Sequence, residues 1–283
     1  MPDKPRILVT NDDGIRSKGL EVTEAIARTL SDDVWVVAPE TEQSGASHSL
    51  TLTLPLRLRR LDERRFAVSG TPTDCVMMAS AHLMKDHAPD LILSGVNRGI
   101  NAADDVTYSG TIAGAMEGCA LGIPSIALSQ TYNYQDRREV HWECAAAHGP
   151  ALVKKLVETG WPKDVLMNVN FPDCMPDEVA GIEVAAQGVR ELQEITIERR
   201  IDMRDNPYFW IGFRREHFTA KHGTDLGALS MRKISVTPLQ LNLTDWKVLQ
   251  SLKHTIDATF DAPAAAPDDA AGSLIPAKER SPE

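Results

Sequence analysis

The sequence predicts an α/β fold: a Rossmann-like, three-layer structure with a parallel sheet, helices on both faces and a C-terminal β-hairpin arm. Three observations carry this prediction. Short β-rich runs alternate with helical stretches over the first two thirds of the chain, polar glycine-containing loops follow the strands, and from about residue 180 the texture changes to long polar-alternating stretches.

The first run, Ile7-Leu8-Val9-Thr10, is bounded by Asn11-Asp12-Asp13-Gly14, as expected of a buried parallel strand that ends in a loop. A helix follows over Leu20 to Leu30, with Leu20, Ile26, Ala27 and Leu30 on one face, and Val34 to Ala38 returns as a strand closed by Pro39. The rhythm continues with a helix over Asp74 to Lys85, strand Leu91-Ile92-Leu93, a helix over Thr111 to Leu121 and strand Ser125 to Leu128. An Ala-rich helix over Glu143 to Glu158 leads to strand Val165 to Asn170, closed by Phe171-Pro172. Residues 50–69 break the pattern, because leucines at 50, 52, 54, 56 and 58 alternate with polar residues and proline, which reads as an inserted hairpin.

The expected organisation is therefore a Rossmann-like body over 1–180, a β-arm extension with a closing helix over 181–260, and a tail over 261–283. In the extension, Glu194 to Arg199 alternates and Tyr208-Phe209-Trp210 is aromatic. An amphipathic arm cannot bury its apolar side alone, so pairing with another subunit is expected. The tail is Ala, Pro and Asp with few large apolar residues, and disorder is expected there.

With 283 residues, 42% hydrophobic and 25% charged, the chain is long enough for a sizeable core and close to globular averages. Its net charge of −10 argues against binding nucleic acid polymers or membranes through massed Lys and Arg. Four cysteines lie far apart without metal-ligand spacing, and no apolar run approaches the ~18 residues of a membrane span. A cytoplasmic location with free thiols is expected.

Ligands of open α/β sheets collect outside the carboxyl ends of the strands. Adjacent carboxylates at Asp12 and Asp13 are unfavourable neighbours unless a positive charge sits beside them, and a divalent cation with hard oxygen ligands would supply it. The same four residues, Asn11 to Gly14, also suit a simple turn. Ser44 to Ser49 is small and hydroxyl-rich, so that backbone groups around Gly45 can approach a ligand closely, although such a cluster also suits a surface loop. Within it, His48 is either a leaving-group acid or a structural histidine. Ser109-Gly110-Thr111 leads directly into an apolar-periodic helix, a position that serves both an N-cap and a phosphate. Asn97 and Asn101 add neutral amides to the preceding loop. The P-loop, the dinucleotide fingerprint and the nucleophile elbow are all missing from the sequence. An acidic metal loop facing a helix terminus suggests metal-assisted phosphoryl transfer to water.

Taken together, these residues resemble the SurE (survival protein E) family of nucleotidases. The resemblance rests on Asn11 to Ile15, Gln43 to Gly45 with Ser47 to Ser49, Ser69 to Pro72 with Asp74 to Val76, Ser94 to Asn97 with Gly99 and Asn101, and Asp105-Val106 with Tyr108 to Thr111. Downstream, Asn168 to Pro172 and Ser235 to Leu239 add two more blocks in family order. At Arg232-Lys233 the chain departs from the Gly-aromatic pair typical of the family.

The resemblance implies hydrolysis of nucleoside 5′-monophosphates, with 3′-monophosphates and short polyphosphate as side activities. It implies Asp12, Asp13, Ser44 and Asn97 as ligands of one Mg²⁺ or Mn²⁺ per subunit, and a C-terminal β arm exchanged in homodimers or homotetramers. The expected mechanism is in-line attack by water, with Asp12 or Asp13 as base. Asn11, Gly45, Asn101, Ser109, Gly110 and Thr111 are then expected to surround the phosphate. Two other classes stand beside it: a haloacid-dehalogenase-like phosphatase with Asp12 as covalent nucleophile, and a non-catalytic nucleotide sensor.

Overall fold

In this computed structural model, residues 2, 4–132, 139–190, 194–214 and 220–257 are described. The chain begins with β1 (Ile7–Thr10), α1 (Lys18–Arg28), β2 (Val34–Pro39), β3 (Leu58–Asp62), β4 (Arg65–Val68) and α2 (Pro72–Met78). It continues through β5 (Leu91–Arg98), α3 (Gly110–Ala120), β6 (Ser125–Gln130), α4 (Trp142–Thr159), β7 (Val165–Phe171) and β8 (Gly181–Val184). The last elements are β9 (Glu194–Ile201), β10 (Pro207–Arg214), α5 (Asp225–Ser230), β11 (Lys233–Gln240) and α6 (Trp246–Leu252).

Nine strands form one sheet in the order β3-β4-β2-β1-β5-β6-β7-β11-β8. The central run from β4 to β7 is parallel throughout, whereas β3 and β11 pair antiparallel with β4 and β7. Successive side chains of a strand point to opposite faces, so each buried strand feeds two cores. Ile7 and Val9 of β1 pack with Leu20 and Ile26 of α1 and Leu152 and Val153 of α4. Leu8 faces the other way, joining Cys75 and Val76 of α2, while Ile112 and Ala115 of α3 pack on Ala127 and Leu166 of the same sheet. Helices thus cover both faces, as the alternation of elements predicted. Each fully buried Ile or Leu in these layers contributes about 1.5–3 kcal/mol relative to exposure.

From β1 the chain runs outward through β2 to β4 and then returns to the opposite side of β1 as β5. The strand order therefore reverses between β1 and β5, and a crevice opens at their carboxyl ends.

The structure changes three expectations. The hairpin expected over 50–69 is confined to β3 and β4, which extend the main sheet. Residues 50–57 form no strand, and Leu52 and Leu54 point to solvent while Leu56 packs into the core. Pro55 has no N–H to give a ladder there. The helix expected over 74–85 starts earlier, at Pro72 behind the Thr71 cap, and gives way to a π-helical turn over Ala79–Leu83. Third, β8 and β11 belong to the nine-stranded sheet, so within the expected extension only β9 and β10 form a separate two-stranded antiparallel sheet.

The chain divides into two compact units, 1–241 and 242–283. The described part of the second is α6, capped by the Asp245 carboxylate on the Val248 N–H at 2.9 Å, followed by a π-helical turn over Lys253–Asp257. The tail over 261–283 lies outside the described residues. Among the described residues, no helix is long and apolar enough to cross a membrane.

Candidate active site

The loop after β1 is built by its own asparagine. The Asn11 side-chain amide donates to the Gly14 carbonyl at 3.2 Å and to the Ser17 hydroxyl at 2.7 Å, which closes the turn and ties it to the first residue before α1. Gly14 sits at a φ of 97°, a conformation that a side chain resists. Between these two residues the chain presents Asp12 and Asp13 on different sides of the crevice.

Asp12 is buried and accepts the Thr111 hydroxyl at the first turn of α3. The helix can come this close because residue 110 is glycine: a Cβ there would lie 2.7 Å from the Cβ of Asp12. Asp13 turns toward β5 and accepts the Arg98 backbone N–H at 3.1 Å. That bond places Asn97 one residue away from the contact. On the other side, the Gln43 N–H donates to the Asp12 carbonyl at 2.8 Å, which places Ser44 one residue away from that contact. Two hydrogen bonds from backbone N–H groups therefore tie the Asp12-Asp13 loop to the residues next to Ser44 and Asn97.

The electrostatics of the pair are unbalanced. Burial pushes the Asp12 carboxyl above its ordinary range, against the opposing hydrogen bonds from Thr111. Burial and then the charge of Asp12 push Asp13 up to about 6. Among the described residues, neither carboxylate forms a salt bridge, and the Asn11 side-chain oxygen next to them is buried without a hydrogen-bond partner. Two adjacent carboxylates, a hydroxyl and amide oxygens form a hard-oxygen set short of positive charge, which fits Mg²⁺ or Mn²⁺.

The other expected residues are placed as follows. The Ser109 hydroxyl caps α3 by accepting the Ile112 N–H at 3.0 Å, and the Thr111 backbone N–H turns to the Asp12 carboxylate. Asn101 is buried, with its amide donating to Ser129 at 2.9 Å and its carbonyl accepting from Asn168 and Asn170. Asn11 thus spends its side-chain N–H groups inside its own loop, and Asn101 spends one on Ser129. Gly45 is exposed at a φ of 78°, and the neighbouring Ser44 hydroxyl donates to Glu42 at 2.9 Å. The side chain of Asn97 donates to the Gly99 carbonyl at 2.9 Å. His48 lies 3.0 Å from Glu117 on α3, and Ser47 donates to the Thr107 carbonyl at 2.7 Å, so this loop is seated along α3.

Sequence reasoning passed over what holds the 44–51 loop. Asp74 accepts the Thr51 N–H and hydroxyl at 3.1 and 2.6 Å, together with the Thr71 N–H at 2.9 Å, while Thr71 donates to the Ser49 carbonyl at 2.8 Å. The Thr71-to-Asp74 spacing is a capping box, and that signal was present in the sequence. Loop 101–105 is fixed in a similar way from the C-terminal side. Buried Asp225 accepts the Ala103 N–H at 2.8 Å, and Arg190 pairs with Asp105. Beyond Asp13 opens a cleft of about 510 Å³, whose walls include Lys18, Glu42, Arg98, Trp142 and Glu143.

A strand-reversal crevice whose acidic oxygen cluster abuts the N-terminus of a helix is the architecture of a phosphate-handling α/β protein. The family described as Survival protein SurE matches residues 7–194, two thirds of the chain. The chain belongs to the SurE family. It is 61% identical over 240 residues to 5′-nucleotidase SurE of Methylorubrum extorquens strain PA1, covering 85% of this chain and 94% of that protein. It is 55% identical over 251 residues to 5′-nucleotidase SurE of Parvibaculum lavamentivorans, covering 89% and 91%. Among solved structures, the SurE protein from Aquifex aeolicus superposes with a TM-score of 0.76 at 41% identity, over 88% of this chain and 99% of that one.

Proposed function

We propose that this enzyme, a 5′-nucleotidase, hydrolyses nucleoside 5′-monophosphates to nucleoside and phosphate at the Asp12-Asp13 crevice, using one divalent ion. The observation that carries this reading is the uncompensated carboxylate pair, linked through backbone hydrogen bonds to the residues beside Ser44 and Asn97 and packed against the start of α3. Names and identities of the relatives support the substrate class.

In this reading Asp12, Asp13, Ser44 and Asn97 hold Mg²⁺ or Mn²⁺, which when bound supplies Lewis acidity toward phosphoryl oxygens and water. The start of α3, Ser109 to Thr111, at the positive end of the helix, faces phosphate oxygens. The Thr111 hydroxyl keeps Asp12 in one orientation. The attacking water forms a new P–O bond as the bond to the ester oxygen breaks; its proton passes to an aspartate, and the nucleoside leaves as the alcohol after taking up a proton. The hairpin of β9 and β10 joins subunits into a homodimer or homotetramer, a reading supported by its exposed apolar side chains on both faces.

The test is phosphate release from a panel of 5′- and 3′-nucleoside monophosphates, in EDTA and then with Mg²⁺ or Mn²⁺ restored. Release that stops with chelator and returns with metal, strongest on 5′-esters, is expected. Saturable nucleotide binding without release under any ion would leave the sensor reading in its place.

A further inference from the structure

We propose that Cys144 and Cys174 form a redox pair, which a hydroperoxide converts into an intramolecular disulfide that staples the first turn of α4 to the turn after β7. Neither residue takes part in the hydrolysis proposed above, so this modification site stands apart from that reading.

All four cysteines are free thiols, and these two meet. Cys144 is buried in the first turn of α4, and its thiol is hydrogen-bonded to the sulfur of Cys174, in a sense that favours the proton on Cys144 and the charge on Cys174. The surrounding structure holds this contact from both sides. The Gln130 side chain accepts the Ala145 N–H at 3.2 Å and donates to the Pro172 carbonyl at 2.8 Å, so it bridges the residue after Cys144 to the start of the turn that carries Cys174. One helical turn further on, His148 donates to the Pro176 carbonyl at 2.9 Å. Cys144 and His148 are four residues apart and share a helix face, so the two bridges bracket the thiol pair. The other cysteines lie elsewhere: the Cys119 thiol donates to the Lys163 carbonyl at 3.3 Å, and Cys75 packs in the core with Leu8 and Val76.

Exposure sets the order of events. Cys174 keeps 4% of its surface and sits between exposed Asp173 and Met175, whereas Cys144 keeps none. A small hydroperoxide therefore reaches Cys174 first. The Cys174 sulfur attacks the O–O bond, an S–O bond forms, and the thiol proton leaves on the departing oxygen as water or an alcohol. The Cys144 sulfur then attacks the sulfenic sulfur; the S–S bond forms as the S–O bond breaks, and the hydroxyl departs with the Cys144 proton as water. Two thiols are oxidised and one peroxide is reduced. Burial pushes the Cys144 thiol up to about 12 and raises Cys174 as well, so the first step is slow and contact between the sulfurs drives the second.

The experiment treats the native full chain with hydrogen peroxide, blocks remaining thiols with an alkylating agent before denaturation, and maps the peptides by mass spectrometry with and without dithiothreitol. Free thiols are expected to fall from four to two, with one linked pair carrying Cys144 and Cys174, and to return to four with reductant. The disulfide closes a loop of about 30 residues, so the oxidised chain is expected to melt higher by about 5–10 °C. Cys144→Ala is expected to leave a sulfenic acid at Cys174 that dimedone labels, and Cys174→Ala to leave Cys144 unlabelled. Four thiols that all resist peroxide, a link through Cys75 or Cys119, or sulfinic acid at Cys174 in place of the link overturns the proposal. A link that lowers the melting temperature overturns the staple, and dimedone on Cys144 in Cys174→Ala overturns the order of attack.

Discussion

At Asp13, burial and the neighbouring Asp12 carboxylate both favour the protonated form, up to about 6 against 3.8 for an ordinary aspartate. A carboxyl whose folded pKa is raised binds more protons folded than unfolded, so its contribution to stability is present at low pH and is lost as pH rises from about 4 through 6. Metal-free protein is therefore expected to be less stable at pH 7.5 than at pH 5, by about 1 kcal/mol, and to melt lower. Asp13→Asn is expected to flatten that dependence, and Mn²⁺ to reverse it in the native chain; melting curves in EDTA at the two pH values check this. Asp12→Asn is expected to abolish phosphate release while the metal-free protein melts no lower than the native chain at pH 7.5; activity of a folded, metal-saturated variant would remove Asp12 from the machinery. The proposed metal site is suggested in the sequence at Asp12, Asp13 and Asn97, because adjacent carboxylates call for a positive charge beside them, although the same loop also suits a turn. Ser44 came only through family resemblance, since a serine in a small-residue loop has no chemical signature of its own. At Asn11 and Asn101 the sequence leaves the role open, because an asparagine reads alike whether its amide faces a ligand or closes a turn.

Among the elements, α2 shows how a helix start far from the chemistry governs it. Its capping box uses Asp74 twice: once to cap, and once to hold Thr51, thereby fixing the loop that carries Ser44. Asp74→Ala is expected to cost about 2 kcal/mol and to raise the Mn²⁺ concentration needed for half-maximal activity. Thr51→Val, which removes the hydroxyl but keeps the backbone bond, is expected to do less; thermal melts and metal titrations of the two variants separate these outcomes. The strands of the central sheet were legible because a buried strand is a short unbroken apolar run between loops. Residues 50–57 were misread because their period-two leucines imitate a strand without a partner strand to pair with. At Arg232 the chain adopts a φ of 56°, a conformation that favours glycine, which is the residue the family resemblance leads one to expect there. Here the Arg232 side chain reaches Glu178 at 2.9 Å, and β11 still begins at the next residue.

Across the whole molecule, the active crevice and the hairpin are joined through one loop. Gln187 donates to the Ala103 carbonyl at 2.9 Å, and the Arg190 N–H donates to Asp104 at 2.8 Å, so the base of the hairpin is tied to the segment that leads to the α3 cap. The hairpin itself exposes Ile197, Phe209, Trp210 and Ile211, which a two-stranded sheet cannot cover by itself. Phe209→Lys/Trp210→Lys is expected to shift the mass measured by light scattering toward the 31.0 kDa monomer, with the chain still folded by circular dichroism. An unchanged mass would move the subunit contact elsewhere. Fold class was legible at this scale because helix and strand periodicities alternate along the chain; the placement of β8 and β11 was not, since long-range pairing leaves little trace in local pattern. That placement has a consequence for biosynthesis. The outer edge of β7 is closed only by β11, which is made after the entire hairpin. At ~5–20 residues per second, a nascent chain carries an open sheet edge for several seconds while its adhesive hairpin is already outside the ribosome. The order of synthesis thus makes the growing polypeptide most prone to mispairing just before its last strand emerges, and marks that interval as the one in which chaperone protection matters.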